Sequence, residues 1–280
     1  MISRFAPAPT GFLHLGHVLD AVYVWNVRQA RNDARVLLRI EDHDRRRSRP
    51  EYDAAILEDL AWLGFTWDGP VVRQSTRGDI YSRALERLRM RGLVYACACS
   101  RRDIAAASSG GEAFRPADVE LAYPGTCRDL GLADGPGVTL RVRLEPSVER
   151  FVDMRLGPQE QRPHLQCGDL AVRDRDGNWT YQFAATVDDL EQGITHVVRG
   201  EDLLESTGRQ IQLARLLGRA EPPAFLHHPL IMKPAAGACG APSRVKLSKS
   251  DRDTGVRDLR ARGWTPKQVL AAAVSSIITP

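Results

Sequence analysis

Apolar side chains come in short blocks along this chain, and the spacing inside each block sets the element it predicts. Residues 3–9, SRFAPAP, read as a short strand ended by proline. In HVLDAVYVWNVRQARND (17–33), Val18, Leu19, Val22, Val24, Trp25 and Val27 recur close to helical spacing. ARVLLRIED (34–42) is a continuous apolar run of strand length, the form of a buried parallel strand. PEYDAAILEDLAWLGF (50–65) predicts a helix with Pro50 near its start and Gly64 near its stop. TRGDIYSRALERLRMRGLVYAC (76–97) repeats the form: a helix, a stop at Gly92, a strand. Strand–helix–strand order with this punctuation predicts a parallel sheet covered by helices.

The pattern breaks near residue 100. AAASSGGEAF (105–114) reads as a loop, and GVTLRVRLEPSVERFVDMRLG (137–157) alternates apolar with polar, as antiparallel strands do. Residues 177–218 return to strands and helices, and after VKLSKSD (245–251) only a loop and one or two short helices fit. The expected division is therefore 1–99 and 186–240 as two halves of a nucleotide-binding core, 100–185 as an insertion, and 241–280 as a loop with a short helical segment.

Composition narrows the class. With 280 residues and 43% hydrophobic content, a sizeable core is expected. No apolar run approaches the roughly 20 residues of a membrane helix, and the N-terminus shows no apolar export signal, so a cytoplasmic enzyme is expected. The net charge of +4 is compatible with RNA without requiring it. Of the 39 basic residues only Lys233, Lys246, Lys249 and Lys267 are lysine, so the pair Lys246 and Lys249 stands out. Five cysteines, an odd number, argue against a disulfide framework. Cys97, Cys99 and Cys127 look grouped, whereas Cys167 and Cys239 stand alone.

Three stretches carry candidate chemistry. In RFAPAPTGFLHLGH (4–17), a loop after a strand opens a helix, whose first N–H groups and dipole favour an anion. Gly11 and Gly16 would let backbone approach a ligand, and His14 and His17 could donate to a phosphate; a turn with surface histidines has the same spacing. KLSKS (246–250) is a cationic cluster suited to phosphate, or a solvated basic loop. Cys97 and Cys99 with Cys127 offer three thiolates for a tetrahedral zinc site, with the fourth position open, or are three reduced cysteines. IEDHD (40–44) gathers Glu41, Asp42, His43 and Asp44, but strand alternation throws successive side chains to opposite faces, which argues against a metal there.

HLGH near the start and KLSKS near the end resemble the HIGH and KMSKS signatures of class I aminoacyl-tRNA synthetases. RFAPAPTGFLHLGH, LLRIEDHD, VVRGEDLLESTGRQ and KLSKSD together resemble the glutamyl branch of that family, across most of residues 4–250. The resemblance implies an α/β, Rossmann-like catalytic core with an inserted zinc-containing subdomain and a short C-terminal helical segment. It implies attack of a glutamate carboxylate on the α-phosphate of ATP, with His14, Gly16, His17, Lys246 and Lys249 at ATP and His14, His17 and Lys249 as the catalytic groups. It also implies Arg4, Phe5, Ala6, Pro7, Ala8, Glu41, Tyr181 and Arg199 at L-glutamate. Arginine forks match its side-chain carboxylate and Glu41 accepts from its amine.

C-x-C followed by Y-x3-C is similar to the pattern of the glutamyl-queuosine tRNA(Asp) synthetase subfamily, which implies Cys97, Cys99, Tyr123 and Cys127 around one structural Zn2+. A further implication is ATP with Mg2+ as substrate, a monomer, activation of glutamate without tRNA, and transfer to queuosine in tRNA(Asp). The 30 residues after KLSKS cannot form the anticodon-reading domain of a full glutamyl-tRNA synthetase. Competing readings are a glutamyl-tRNA synthetase-like enzyme with another acceptor, a non-catalytic RNA-binding paralogue, and a small-molecule nucleotidyltransferase, which would need neither the cysteine cluster nor the Arg4/Arg199 pair. The run Arg45, Arg46, Arg47 and Arg49 suits RNA phosphates or a solvated loop, and sequence assigns it no role.

Overall fold

A computed structural model describes residues 1–31, 33–108, 121–232 and 255–276. Strand β1 (Ile2–Phe5) leads through the Ala6–Pro9 turn into helix α1 (Leu15–Trp25), which breaks at Asn26 and continues as the short α2 (Val27–Ala30). β2 (Arg35–Ile40) is followed by α3 (Pro50–Trp62), which has Pro50 in its first turn with Glu51 and Asp53. These acids complement the helix dipole, and Gly64 at φ 86° supplies the left-handed exit. Then come β3 (Val72–Arg73), a 3-10 turn at Gln74–Thr76, α4 (Gly78–Met90), β4 (Val94–Cys97) and α5 (Arg101–Ser108). After them follow β5 (Thr139–Val142), β6 (Glu149–Asp153), β7 (Gly157–Gln161), α6 (Pro163–Gln166), β8 (Leu170–Arg173) and α7 (Tyr181–Glu191). The chain continues with β9 (His196–Gly200), a 3-10 stretch at Glu201–Ser206, α8 (Thr207–Leu216) and β10 (Ala224–His228). Two helices, α9 (Val256–Ala261) and α10 (Pro266–Ser275), close the described part.

Three sheets organise these elements. β1 and β3 flank β2 in parallel, with Arg4 opposite Leu37 and Arg39 opposite Val72. β9 and β6 flank β10 in parallel, and β7 returns antiparallel on β6 as the edge. The edges of these two sheets meet. Thr195 N–H donates to the Ile2 carbonyl at 2.9 Å and Arg4 Nη1 to the Val198 carbonyl at 3.1 Å, so β1 and β9 run the same way side by side. The carboxyl ends of both sheets therefore open on one side, where ligands bind in such folds.

The third sheet, β4-β5-β8, is antiparallel. It corrects the sequence reading, which carried the strand at 93–97 into the parallel sheet. A short apolar run carries no sign of its direction, and β4 finds its partner in β5. The alternating stretch at 137–157 does hold strands, yet β5 and β6 belong to different sheets. Inside the span expected as an insertion, β6 and β7 extend the second parallel sheet.

Two main cores follow. Phe5, Val18, Leu19, Val36, Leu38, Ile56 and Leu60 pack between the first sheet and α1 and α3, with Val256, Leu259 and Val269 of the C-terminal helices joining them. Tyr81, Leu85, Leu88, Leu140, Val142, Val172, Phe183 and Leu213 form the other, uniting α4, the antiparallel sheet, α7 and α8. Among the described residues no helix is long and apolar enough to cross a membrane.

The C-terminal helices dock over one uncomfortable group. Asp59 on α3 is buried with both carboxylate oxygens lacking a hydrogen-bond partner, its nearest cation being Arg257 Nε at 3.6 Å. Burial pushes its carboxyl up to about 6. A carboxyl whose folded value lies above its unfolded value costs stability as pH rises through the folded value. Asp59→Asn is therefore expected to be more stable than the parent at pH 8, by on the order of 2 kcal/mol, with the advantage fading towards pH 4. Urea unfolding at both pH values checks this, and a pH-independent difference would refute it.

Candidate active site

The carboxyl ends of β1, β2, β9 and β10 wall a cleft of about 740 Å³, lined by residues that include Arg4, Ala6, Pro7, Ala8, His14, Gly16, His17, Glu41, Tyr181 and Arg199. Phe5 departs from this group. Alternation along β1 turns its ring into the core, 1% exposed and 5.5 Å from the Trp25 ring. Lys246 and Lys249 lie outside the described residues. The chain before that span leaves from the cleft wall at Leu230 and Ile231, and the chain after it returns at Gly255, which pairs with His14.

The two histidines form the N-cap of α1. His14 Nδ1 accepts from Gly16 N–H at 3.1 Å, and His17 Nδ1 accepts from His14 N–H at 3.2 Å, a capping box with histidine in both side-chain roles. Both Nδ1 atoms are acceptors, so each ring carries its proton on Nε2. Gly16 leaves room for the His14 ring, whose Cε1 would stand 2.9 Å from a Cβ there. The helix start thus supplies a dipole, backbone donors and two imidazole donors at one wall of the cleft.

Opposite it lies a buried charge network. Arg39 is wholly enclosed and donates to Asp189 at 2.7 Å, Gln192 at 2.9 Å and Glu41 at 3.2 Å. Arg4 shares Asp189 through Nε at 3.0 Å. Burial would raise Asp189, but Arg4 and Arg39 outweigh it and hold its carboxyl below the usual range. Glu41 stays above that range, because burial exceeds the pull of Arg39. The Glu41 N–H donates to the Pro7 carbonyl at 3.0 Å, which ties the turn after β1 to the end of β2.

Arg199 is different. It is 4% exposed, yet among the described residues it has no carboxylate within ion-pair distance. Its partners are neutral: Gln210 at 2.6 Å, Thr207 at 2.8 Å and His227 at 3.0 Å. Burial lowers its basicity, Tyr181 offsets part of this, and Arg4 adds to it. Tyr181, at the start of α7, is itself raised by burial and then by Glu41.

Sequence reading missed the supports behind these groups. Asp188, fully buried, accepts from Arg77 at 2.6 Å, Tyr81 at 2.8 Å and Gln74 at 2.8 Å, and so braces α7. The available signal was the acidic doublet Asp188-Asp189 directly after the largely apolar run 183–187. At another wall His228 bonds Asp20 at 3.0 Å.

IEDHD disperses, though not by strand alternation: β2 ends at Ile40, and Asp42 and His43 both turn to the 3-10 turn at Gln74–Thr76. Asp42 takes Ser75, His43 meets Gln74 and Asp44 pairs with Arg47. In the arginine run Arg47 reaches the cleft, while Arg46 pairs with Asp176 at 2.9 Å and Arg49 donates to two backbone carbonyls.

Away from the cleft, Cys97, Cys99 and Cys127 bring their sulfurs within 4.8 Å of one another, a group able to hold a metal ion. Cys99 and Cys127 are 3.4 Å apart, and the Tyr123 hydroxyl is 3.3 Å from Cys97 Sγ. Sulfurs around a tetrahedral ion with bonds of about 2.3 Å stand about 3.8 Å apart, so the cluster is close to the required shape. Burial raises Cys127, but bonds led by the one to Tyr123 bring it down to about 7. Burial and Cys127 push Cys99 up to about 11. Tyr123 is seated by Gly168, at φ +64°, where a Cβ would stand 2.0 Å from the Tyr123 carbonyl oxygen.

The family profile described as tRNA synthetases class I (E and Q), catalytic domain, matches residues 1–275. A glutamyl-Q tRNA(Asp) synthetase of Rhodobacter capsulatus is 42% identical over 282 residues, covering 96% of this chain and 98% of that one. One from Bordetella bronchiseptica is 46% identical over 250 residues, covering 89% of this chain and 75% of that one. The crystal structure of a glutamate tRNA ligase from Elizabethkingia meningosepticum, in complex with its amino acid, superposes with a TM-score of 0.72 at 29% identity. That match covers 94% of this chain and 53% of that ligase, so the chain spans about half its length. On this evidence the chain belongs to the class I tRNA synthetases for glutamate and glutamine, and within them to the glutamyl-Q tRNA(Asp) synthetases, ligases of the aminoacyl-tRNA synthetase kind.

Proposed function

We propose that this chain activates L-glutamate with ATP in the absence of tRNA and transfers the glutamyl group to the queuosine base at the wobble position of tRNA(Asp). The observation that carries the amino-acid half is Arg199, a buried cation without a carboxylate among the described residues. Such a charge is costly unless a ligand completes it. Arg199 and Arg4 take the side-chain carboxylate of glutamate, Glu41 accepts from its ammonium, and Tyr181 closes the wall. Ala6, Pro7 and Ala8 shape the floor, and Phe5 contributes only through its backbone. The α-carboxylate oxygen then bonds the α-phosphorus of ATP as the bond to pyrophosphate breaks. His14 and His17 donate to the developing phosphate charge from the helix start. Lys249, helped by Lys246, meets the same charge from the segment whose flanks, Ile231 and Gly255, reach the cleft. Mg2+ accompanies the ATP.

The thiol cluster fits Zn2+ by donor softness and spacing, with Cys97, Cys99, Cys127 and Tyr123 as its holders. The ion would tie the end of β4 to the segment around Tyr123 and plays no part in the chemistry.

Exchange of pyrophosphate into ATP with glutamate alone tests activation, and no exchange without tRNA would refute that part. Labelling of tRNA(Asp) with and without queuosine tests the acceptor, and equal labelling of both would refute that part. Arg199→Ala is expected to raise the glutamate KM by about 100-fold with ATP affinity unchanged, the effect of stripping a partner from a buried charge pair. An unaltered glutamate affinity in direct binding would remove Arg199 from the site. Lys249→Ala is expected to lower kcat of exchange far more than it weakens glutamate binding, which stopped-flow against binding measurements separates. Gly168→Ala is expected to displace Tyr123 and lower the zinc retained after dialysis well below one ion per chain; full zinc content would contradict this.

A further inference from the structure

Two of the groups that hold Arg199, Gln210 and Thr207, accept through an amide or hydroxyl oxygen, but the third is a histidine nitrogen. A histidine nitrogen accepts only where it carries no proton, so the location of the His227 proton matters.

Asp153 at the end of β6 decides that location. It is 1% exposed, and every lone pair it needs is used. Oδ1 accepts from the N–H groups of Arg155 at 3.0 Å and Leu156 at 2.9 Å. Oδ2 accepts from the His227 N–H at 3.0 Å and lies 2.7 Å from His227 Nδ1. Burial alone would raise this carboxyl, but the bond to His227 and the backbone donors outweigh burial and hold it below the usual range. An anionic Asp153 can only accept, so Nδ1 carries the proton. Nε2 is left as a lone pair facing Arg199 Nε at 3.0 Å and the Thr207 hydroxyl at 3.2 Å.

The charged and titratable groups around the ring are Asp153 from β6, Arg199 from β9 and the adjacent His228 on β10. A second proton would set an N–H against the guanidinium N–H. Burial first, then the charge of Arg199, push the ring down to about 4 despite Asp153, so it holds one proton at neutral pH. The three bonds occupy one N–H on each guanidinium nitrogen. That leaves two of the five donors for Tyr181 and a ligand.

We infer that His227 is a positioning residue for Arg199: with its proton pinned on Nδ1 by Asp153, it presents Nε2 to the guanidinium and fixes the plane in which the remaining guanidinium N–H meets the carboxylate of the amino acid. This rests on the reading that Arg199 binds glutamate.

The test uses the full chain in glutamate-dependent pyrophosphate exchange, with His227→Leu and His227→Gln as variants. Gln keeps an acceptor where Nε2 stood and Leu does not. Leu is expected to raise the glutamate KM by about tenfold or more and Gln by about threefold or less, with kcat and the ATP KM within about twofold. Nitrogen-15 NMR of the wild-type ring, assigned by its loss in the Gln variant, is expected to show Nδ1 protonated and Nε2 bare from pH 8 to pH 5. An exposed histidine would titrate in that range at about 6.5. A doubly protonated or Nε2-protonated ring, or equal glutamate KM in wild type and both variants, would overturn the inference. Should the Leu variant lack a thermal transition, the NMR of the wild type still decides. If Arg199→Ala also leaves glutamate affinity unchanged, the site reading itself fails; if that variant is impaired while the His227 variants are indifferent, only the positioning role falls.

Discussion

A guanidinium sealed from water must be enclosed by acceptors, and the cleft depends on how this chain meets that demand at Arg39. The side chain leaves β2 and is met by Asp188, Asp189 and Gln192 of the α7 region and by Glu41 from its own strand end. These contacts join residues some 150 positions apart in the chain. Asp189 then passes the connection to Arg4, which bonds the Val198 carbonyl at the junction of the two parallel sheets. The ion pairs fix α7, and hence Tyr181, against the strand ends. Breaking one member of such a set strands the other charges, typically at 3–5 kcal/mol, so the network specifies geometry even where its net contribution to stability is small.

On the proposed function the charges would also select. Around the amino-acid end of the cleft Arg4, Arg39 and Arg77 each pair with a carboxylate among Glu41, Asp188 and Asp189, whereas Arg199 has none within ion-pair distance among the described residues. The side-chain carboxylate of glutamate would supply the anion that Arg199 lacks. Glutamine would leave Arg199 unmatched. A site built around an unmatched charge rejects a neutral analogue far more strongly than a merely apolar pocket could.

Much of this cleft was legible from the chain. Arg4, His14, His17, Glu41, Tyr181 and Arg199 all reach one wall or another, because each stands at a strand end or helix start that faces the same side of the sheets. Phe5 was not separable from its neighbours by motif, although alternation along a strand already gives it the face opposite Arg4. The direction of β4 was not legible, since a short apolar run pairs equally well either way. Arg39, Asp153, Asp188 and His227 were invisible for a different reason. A charged residue in sequence looks solvated, and only folding shows that each lies buried beside a partner 74 or more positions away.

The two halves of the proposed reaction make opposite demands on the fold, and the chain meets them with different material. Recognition of a small zwitterion needs donors that do not relax when the ligand arrives, and here they are braced from behind by ion pairs, backbone N–H groups and a histidine of fixed tautomer. Phosphate charge, by contrast, appears only as the reaction proceeds. The groups assigned to it are a helix start, whose capping box orients both imidazoles, and lysines on a segment joined to the body at the cleft wall on one side and at His14 on the other. The pairing of Gly255 with His14 is where these halves meet. It binds the return of the lysine-bearing segment to the residue that caps the phosphate-facing helix, so whatever sets the position of α1 also sets the anchor of that segment. α1 in turn packs on Phe5 of β1, one residue beyond Arg4. A displacement of β1 would therefore disturb amino-acid binding and phosphate stabilisation together, which couples the two through a single strand rather than through a relay of loops.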